Sequence, residues 1–202
     1  MKILPEELTE KGYQLCDQFE HTEIVPFIQP YLKPNNPVMI FYWGINIIIL
    51  LAAAIGWITL SDGKSDALAK FGIGAALFAA LIPIHELIHG IGYKLAGAPK
   101  VSYKAHIKKL IFYAMADRFV ISARPFVLLA IAPFIIINSL LIIGIAIFPG
   151  PYSWLLAGAL LMHTSGCAGD FALISYYYVN RRKEIVTYDD QSAQITYFFT
   201  KL

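Results

Sequence analysis

Residues 67–95 read ALAKFGIGAALFAALIPIHELIHGIGYKL, a long apolar stretch with very few charges. Lys70 lies near its start, Lys94 lies near its end, and Glu86 is the only acidic residue between them. A helix of roughly 20 apolar residues crosses the ~30 Å hydrocarbon layer of a bilayer. We therefore expect residues 67–95 to form a membrane-spanning helix that carries the sequence His85-Glu86-Leu87-Ile88-His89.

The composition of the whole chain agrees with a membrane protein. Of its 202 residues, 57% are hydrophobic and 15% are charged, whereas about 25% charged residues are usual in soluble domains. Three more apolar segments cover residues 38–60, 125–148 and 152–179, and a Pro-Gly-Pro turn at 149–151 separates the last two. The pattern predicts an all-α polytopic membrane protein with about four transmembrane helices.

The positions of the basic residues predict the orientation in the membrane. Fourteen of the 16 Lys and Arg residues lie before the first span, between the second and third, or after the fourth, and the other two are Lys64 and Lys70. Basic loops stay in the cytoplasm, so we expect a multi-pass cell-membrane protein with both termini cytoplasmic. The divisions are a cytoplasmic N-terminal segment (1–37), a transmembrane domain (38–180) and a cytoplasmic tail (181–202). The net charge of +2 does not indicate a nucleic-acid partner.

Three segments outside the spans show weaker patterns. Residues 101–109 alternate between apolar and polar, as in a strand, and residues 110–115 can form its partner in a small cytoplasmic hairpin. An amphipathic helix or plain loop fits residues 101–109 equally well. In the tail, residues 184–188 and 194–200 flank a turn and predict a second hairpin. We expect a short helix at residues 8–19.

The histidine motif is the strongest chemical signal in the chain. On a helix, residues four apart lie on one face, ~6 Å apart along the axis, so His85 and His89 can bind one metal ion. Glu86 lies beside that face, where its carboxylate can take a proton from an attacking water. Such motifs arise by chance in soluble proteins. Inside a membrane, however, two His and a Glu are costly to desolvate and indicate a function.

A catalytic zinc usually has a third protein ligand, and the fourth span offers three candidates. Asp170 is the best, because its depth below the cytoplasmic surface matches that of the two histidines. Its alternative role is a helix-end acid paired with Arg124 or Arg181. His163 is the rival ligand, although a second-layer or substrate-contact role suits its deeper position better. Cys167 can also bind a metal, but a buried cysteine more often packs as a small apolar residue.

The third span contains a proline and an asparagine. Pro133 is expected to kink the helix and free a backbone carbonyl. Asn138 lies deep enough to reach the neighbourhood of the metal, where it can hydrogen-bond a substrate backbone. An interhelical hydrogen bond that only holds the helices together is an equally good interpretation. We assign no role to His21, which lies in the N-terminal segment.

Together, the His-Glu-x-x-His helix, the Ala132-Pro133-Phe134…Asn138 helix and Gly169-Asp170 resemble small bacterial membrane proteins described as putative zincin peptidases. That group is similar to site-2 intramembrane metalloproteases. The resemblance implies a three-helix core that binds Zn²⁺ through His85, His89 and Asp170, with Glu86 as the catalytic acid/base. It also implies that a hairpin after the motif helix holds the substrate as an added strand.

The chain departs from the site-2 pattern at two places. Ile88 stands where a glycine usually precedes the second histidine, and Asp170 lies in Cys-Ala-Gly-Asp-Phe rather than Asn-Pro-Asp-Gly. The leading hypothesis is a zinc-dependent endopeptidase that cuts membrane-protein or peptide substrates within or beside the bilayer. The alternatives are a metal transporter or sensor, and a catalytically silent metal-binding membrane protein.

Overall fold

The computed structural model describes residues 4–60, 63–106 and 111–201. Within those ranges the chain is mostly helical and also contains six strands. The helices are α1 (Ile24–Ile28), α2 (Pro37–Leu60), α3 (Lys64–Leu95), α4 (Ala123–Ile147), α5 (Pro151–Gly166) and α6 (Ala168–Val179). The strands are β1 (Gln14–Glu20), β2 (Ser102–His106), β3 (Ile111–Met115), β4 (Ile121–Ser122), β5 (Glu184–Asp190) and β6 (Ile195–Lys201).

Three helices, α2, α3 and α4, are long and apolar enough to cross a membrane. The fourth predicted span is not one helix, because it divides into α5 and α6 at Cys167. The Cys167 backbone N–H donates to the carbonyls of His163 and Thr164, which closes α5 before α6 begins. With 16 and 12 residues, neither helix reaches the ~20 residues that a span requires. The glycines at positions 166 and 169 weaken helix propensity at this break.

Helices α3 and α5 touch backbone to backbone through two glycines. A Cβ atom on Gly74 would collide with the carbonyl oxygen of Leu155, and one on Gly158 would collide with that of Phe71. Small residues allow helices to approach this closely where water supplies no hydrophobic driving force between them. The ring of Phe78 packs against Gly166, so α5 lies directly beside α3, the helix that carries the histidine motif.

A four-stranded antiparallel sheet joins segments from both flanks of the helical region, and it makes the all-α expectation wrong. The strand order is β1-β6-β5-β4. Gln14 pairs with Thr200, and Ile121 pairs with Thr187. The expected short helix at residues 8–19 is also wrong, since residues 8–12 form turns and β1 occupies the second half of that segment. Its partner β6 lies far away in sequence, so local pattern gave no sign of the pairing.

Both expected hairpins are present in the described residues. Strands β5 and β6 form the tail hairpin, with Glu184 opposite Lys201 and Asp190 opposite Ile195. Strands β2 and β3 pair antiparallel, from Ser102 opposite Met115 to His106 opposite Ile111. Residues 107–110, between the two strands, lie outside the described ranges. The β2–β3 hairpin packs along α3, where the Tyr103 hydroxyl lies against Gly90.

The main core lies where the sheet covers the ends of the helices. Phe198 of β6 packs against Tyr176 of α6 and stacks on Phe27 of α1, with ring centroids 4.7 and 5.4 Å away. The Tyr176 hydroxyl donates a hydrogen bond to Asp17 of β1. This packing fixes the sheet over the region where α3, α4 and α6 carry the candidate site.

Candidate metal centre

Side chains from two helices converge at one point inside the helical region. The Nε2 atoms of His85 and His89 lie 3.0 Å apart, and the Asp170 carboxylate oxygens lie 3.1 Å from His85 Nε2 and 3.2 Å from His89 Nε2. The exposed fractions of these side chains are 12%, 9% and 17%. The helical spacing of the histidines and the placement of Asp170 on α6 bring three potential metal-binding atoms together.

A proline on α4 supplies the hydrogen-bond partner that orients His89. Pro133 has no N–H, so the carbonyl of Leu129, four residues earlier, is left without its helical partner. His89 Nδ1 lies 3.1 Å from that carbonyl oxygen and donates to it. The proton is therefore on Nδ1, and the Nε2 lone pair faces the cluster. The carbonyl that Pro133 was expected to free is therefore that of Leu129, and it accepts the hydrogen bond that orients His89.

His85 is oriented by a chain of buried polar groups. The Asn138 amide Nδ2 donates to Thr164 Oγ1 at 3.0 Å, so its Oδ1 is the acceptor for His163 Nδ1 at 2.7 Å. With that proton on Nδ1, His163 Nε2 accepts from His85 Nδ1, 3.3 Å away. His85 then also presents an unprotonated Nε2 to the cluster. Donation of the outer ring N–H to a fixed acceptor is the usual support of a metal-binding histidine.

The donor set fits a zinc ion. Two imidazole lone pairs and a carboxylate repel one another unless a cation lies between them. In tetrahedral coordination with bonds of ~2.0–2.1 Å, ligand atoms lie ~3.3 Å apart, close to the 3.0–3.2 Å spacing of these atoms. A second set of nearby atoms belongs to His85, His163 and Cys167. There, however, His163 Nδ1 is bound to Asn138 and the Cys167 thiol donates to the His163 carbonyl.

Glu86 lies beside the cluster with one free carboxylate oxygen. The backbone N–H of Ala114, in β3, donates a hydrogen bond to this carboxylate. Its Oε2 atom is buried and has no hydrogen-bond partner among the described residues. A buried carboxylate oxygen without a partner is costly, and such an atom is available to a water or a substrate.

The cluster and Glu86 open into a single chamber of about 210 Å³. Residues of α3, α4, α5 and α6 line the chamber, together with residues of β3, the four-stranded sheet and the segment after β1. Eight of the remaining lining residues are Phe or Tyr, and most of the others are aliphatic or Gly: the eight are Phe19, Tyr93, Phe112, Tyr113, Phe119, Phe126, Tyr188 and Phe198. The chamber is thus a largely apolar enclosure with the polar cluster on one side.

A comparison with protein families places these features in a known group. The family described as putative zincin peptidase matches residues 78–185, which is more than half of the chain. The chain belongs to this family. No curated protein and no solved structure matches it.

Membership of the family described as putative zincin peptidase supports a metallopeptidase, with zinc as the expected cofactor. The matched region begins within α3 and ends at the second residue of β5. It therefore includes the cluster, Glu86 and the β2–β3 hairpin. Strands β1 and β6, which complete the sheet, lie outside it.

The structure brings together most of the residues that the sequence singled out. Asp170 faces the histidines rather than Arg124 or Arg181. The guanidinium of Arg181 lies over the Tyr178 ring instead. His163 and Asn138 do not join the three-atom set but form the chain behind His85.

Sequence reasoning missed three groups around the site. The carbonyl of Leu129 could have been found by counting four residues back from Pro133. His21 and Asp189 also line the chamber. The long-range pairing of β1 with β6 brings the segment that carries His21 to the tail hairpin that carries Asp189, and no local pattern indicates that pairing.

Proposed function

We propose that this protein is a zinc-dependent endopeptidase that cuts membrane-protein or peptide substrates within or beside the bilayer, with Glu86 as its acid/base. One observation carries the proposal. Two histidines and Asp170 direct three metal-binding atoms at one point, and a free oxygen of Glu86 lies in the same chamber.

Zinc held by His85, His89 and Asp170 would polarise a peptide carbonyl and lower the pKa of a coordinated water toward ~7. The protein itself moves the proton. Glu86 Oε2 has no hydrogen-bond partner in the part of the chain that the structure describes, so it can take a proton from the attacking water and pass it to the leaving amine nitrogen. The N–H of Ala114 holds the carboxylate in place during both transfers.

The hairpin suggests how a substrate is held. Phe112, Tyr113 and Ala114 of β3 line the chamber, and Ala114 directs its N–H at Glu86. A substrate that unwinds and lies extended along β3 would present a backbone carbonyl to the cluster. We therefore assign this role to β3, whereas the sequence favoured residues 101–109. The distribution of Lys and Arg supports a cytoplasmic position for the sheet and for both termini.

Two substitutions separate metal binding from catalysis. In proteoliposomes that contain a single-span reporter library, Glu86→Gln is expected to keep one zinc and lose cleavage, because the amide cannot accept the proton. His85→Ala is expected to lose both. Elemental analysis measures the zinc, and mass spectrometry measures the cleavage products. Glu20→Gln, an exposed glutamate on β1, is the matched control and retains both properties.

A Glu86→Gln protein that cleaves at the wild-type rate would remove the acid/base assignment. The same variant distinguishes the alternative functions. A zinc transporter or sensor would show zinc flux or zinc-dependent signalling that survives Glu86→Gln. A silent metal-binding protein would show neither flux nor cleavage in the wild type.

A further inference from the structure

His21 lines the chamber from the segment that follows β1, and one of its ring nitrogens has no hydrogen-bond partner among the described residues. The side chain is 4% exposed and lines the same chamber as Glu86. Its Nε2 atom is buried and makes no hydrogen bond within the described residues. Asp189 Oδ1 lies 3.7 Å away, beyond hydrogen-bond distance, and accepts instead from Thr196 Oγ1 at 2.7 Å.

The surroundings of His21 favour a proton on Nε2. The Tyr113 hydroxyl lies 3.4 Å from Nδ1. Burial and the charge of Asp189 raise the pKa of Tyr113, so this hydroxyl stays protonated at neutral pH and can donate to Nδ1. The nearby Asp189 carboxylate attracts an N–H on Nε2. A free donor is therefore present in the chamber.

Two buried atoms of the chamber have no hydrogen-bond partner among the described residues, one on α3 and one in the segment that follows β1. Glu86 Oε2 accepts and comes from the helices, whereas His21 Nε2 donates and comes from the sheet side. A peptide backbone offers an N–H and a carbonyl, and so can satisfy groups of both kinds. Aromatic rings around these atoms, including Phe19, Phe119 and Phe198, suit apolar side chains of the same peptide.

We propose that His21 is a substrate-binding residue, whose Nε2–H donates to a backbone carbonyl of an apolar peptide held in the chamber. This inference rests on the proposed peptidase function. It makes the N-terminal segment part of the substrate site, although that segment lies outside the family match. The substrate class is an extended peptide with bulky apolar side chains on either side of the bond that is cut.

Two hydroxamates test the proposal in the full zinc-loaded chain. Acetohydroxamate binds a zinc ion but is too short to occupy the rest of the chamber. A dipeptide hydroxamate with Leu and Phe side chains extends from the metal across the chamber. His21→Ala is expected to weaken the dipeptide hydroxamate about tenfold, the effect of one hydrogen bond, and to leave acetohydroxamate unchanged. His21→Gln, which keeps an N–H donor, is expected to recover part of the loss.

Thr200→Val is the matched control, because Thr200 Oγ1 is also buried without a partner in the sheet but does not line the chamber. It is expected to bind both probes as the wild type does. Zinc content that stays equal in all variants shows that each one folds. Equal dipeptide affinity in His21→Ala and wild type, or equal weakening of both probes, overturns the role of His21 alone. A wild type that shows no zinc-dependent binding of acetohydroxamate overturns the metal centre and this inference with it.

Discussion

The helical region and the four-stranded sheet both line one chamber, and the chain builds their parts of it by different means. In the helices, part of the candidate site follows from a short sequence interval, the spacing of four positions from His85 to His89. In the sheet, the wall depends on β1 pairing with β6, with Gln14 opposite Thr200. The comparison shows that one site can combine a wall specified by local spacing with a wall specified only by tertiary structure.

The energetic requirements of the two regions also differ. Helices in a membrane satisfy their own backbone hydrogen bonds and gain stability from close packing. Replacing a glycine at such a contact is therefore expected to be strongly destabilising. The sheet is stabilised by burial of aromatic side chains such as Phe198 and Tyr176 and by individual hydrogen bonds. Substitutions in the two regions should therefore differ in how much unfolding free energy they cost and in whether they change zinc binding.

The largest effect is expected at the contact between α3 and α5. Gly158→Ala places a Cβ against the backbone of Phe71, where no side-chain movement can relieve the clash. We expect a loss of about 3 kcal/mol of unfolding free energy, at the upper end of overpacking costs, and a loss of zinc because α3 must shift. Unfolding in mixed detergent and elemental analysis measure the two effects.

Gly72→Ala, also in α3 but with no neighbouring atom near its Cβ position, is the control. It is expected to be neutral or slightly stabilising, as alanine favours a helix. If both variants behave alike, close packing does not distinguish the helical region.

An intermediate effect is expected from the polar chain behind His85. Asn138→Leu removes the acceptor of His163 and should lower zinc affinity about 10- to 100-fold, as losses of outer hydrogen-bond partners do, with little change in fold. Competition with a zinc chelator measures the affinity. The control is Asn46→Leu, which removes a membrane asparagine that bonds Ser165 and not the cluster chain. Unchanged zinc affinity in Asn138→Leu would mean that this chain only joins helices.

The smallest effect is expected in the sheet. Tyr13 is buried and its hydroxyl donates to Glu184, so Tyr13→Phe should cost about 1 kcal/mol of stability and leave zinc affinity unchanged. Burial, together with Glu184, raises the pKa of Tyr13 to about 12. A raised folded-state pKa contributes stability below the unfolded value of 10.0 that is lost as pH rises through 12. The difference between Tyr13→Phe and wild type should shrink over that interval. A change in zinc affinity at neutral pH would contradict the separation of the two regions.

Apolar length predicted three helices that are long enough to cross a membrane, and helical spacing brought His85 and His89 together. Depth favoured Asp170 as the third member, the tail pattern predicted its hairpin, and the alternation at residues 101–109 left a strand and a helix or loop equally open. The break at Cys167 escaped because apolar composition continues through it. Strand β1 escaped because its partner is remote, and His21 escaped with it.

Strands β5 and β6 follow α6 in the chain, so they are synthesised after the helices. Thr187, Tyr188, Asp189, Thr196 and Phe198 line the chamber, and all of them emerge from the ribosome after α6. Because the N-terminal part of a chain is synthesised first, α3 and α6 are both available to bring His85, His89 and Asp170 together before β5 and β6 have been made. Any enzymatic capacity would then mature only once β5 and β6 dock, which separates membrane insertion from competence for cleavage.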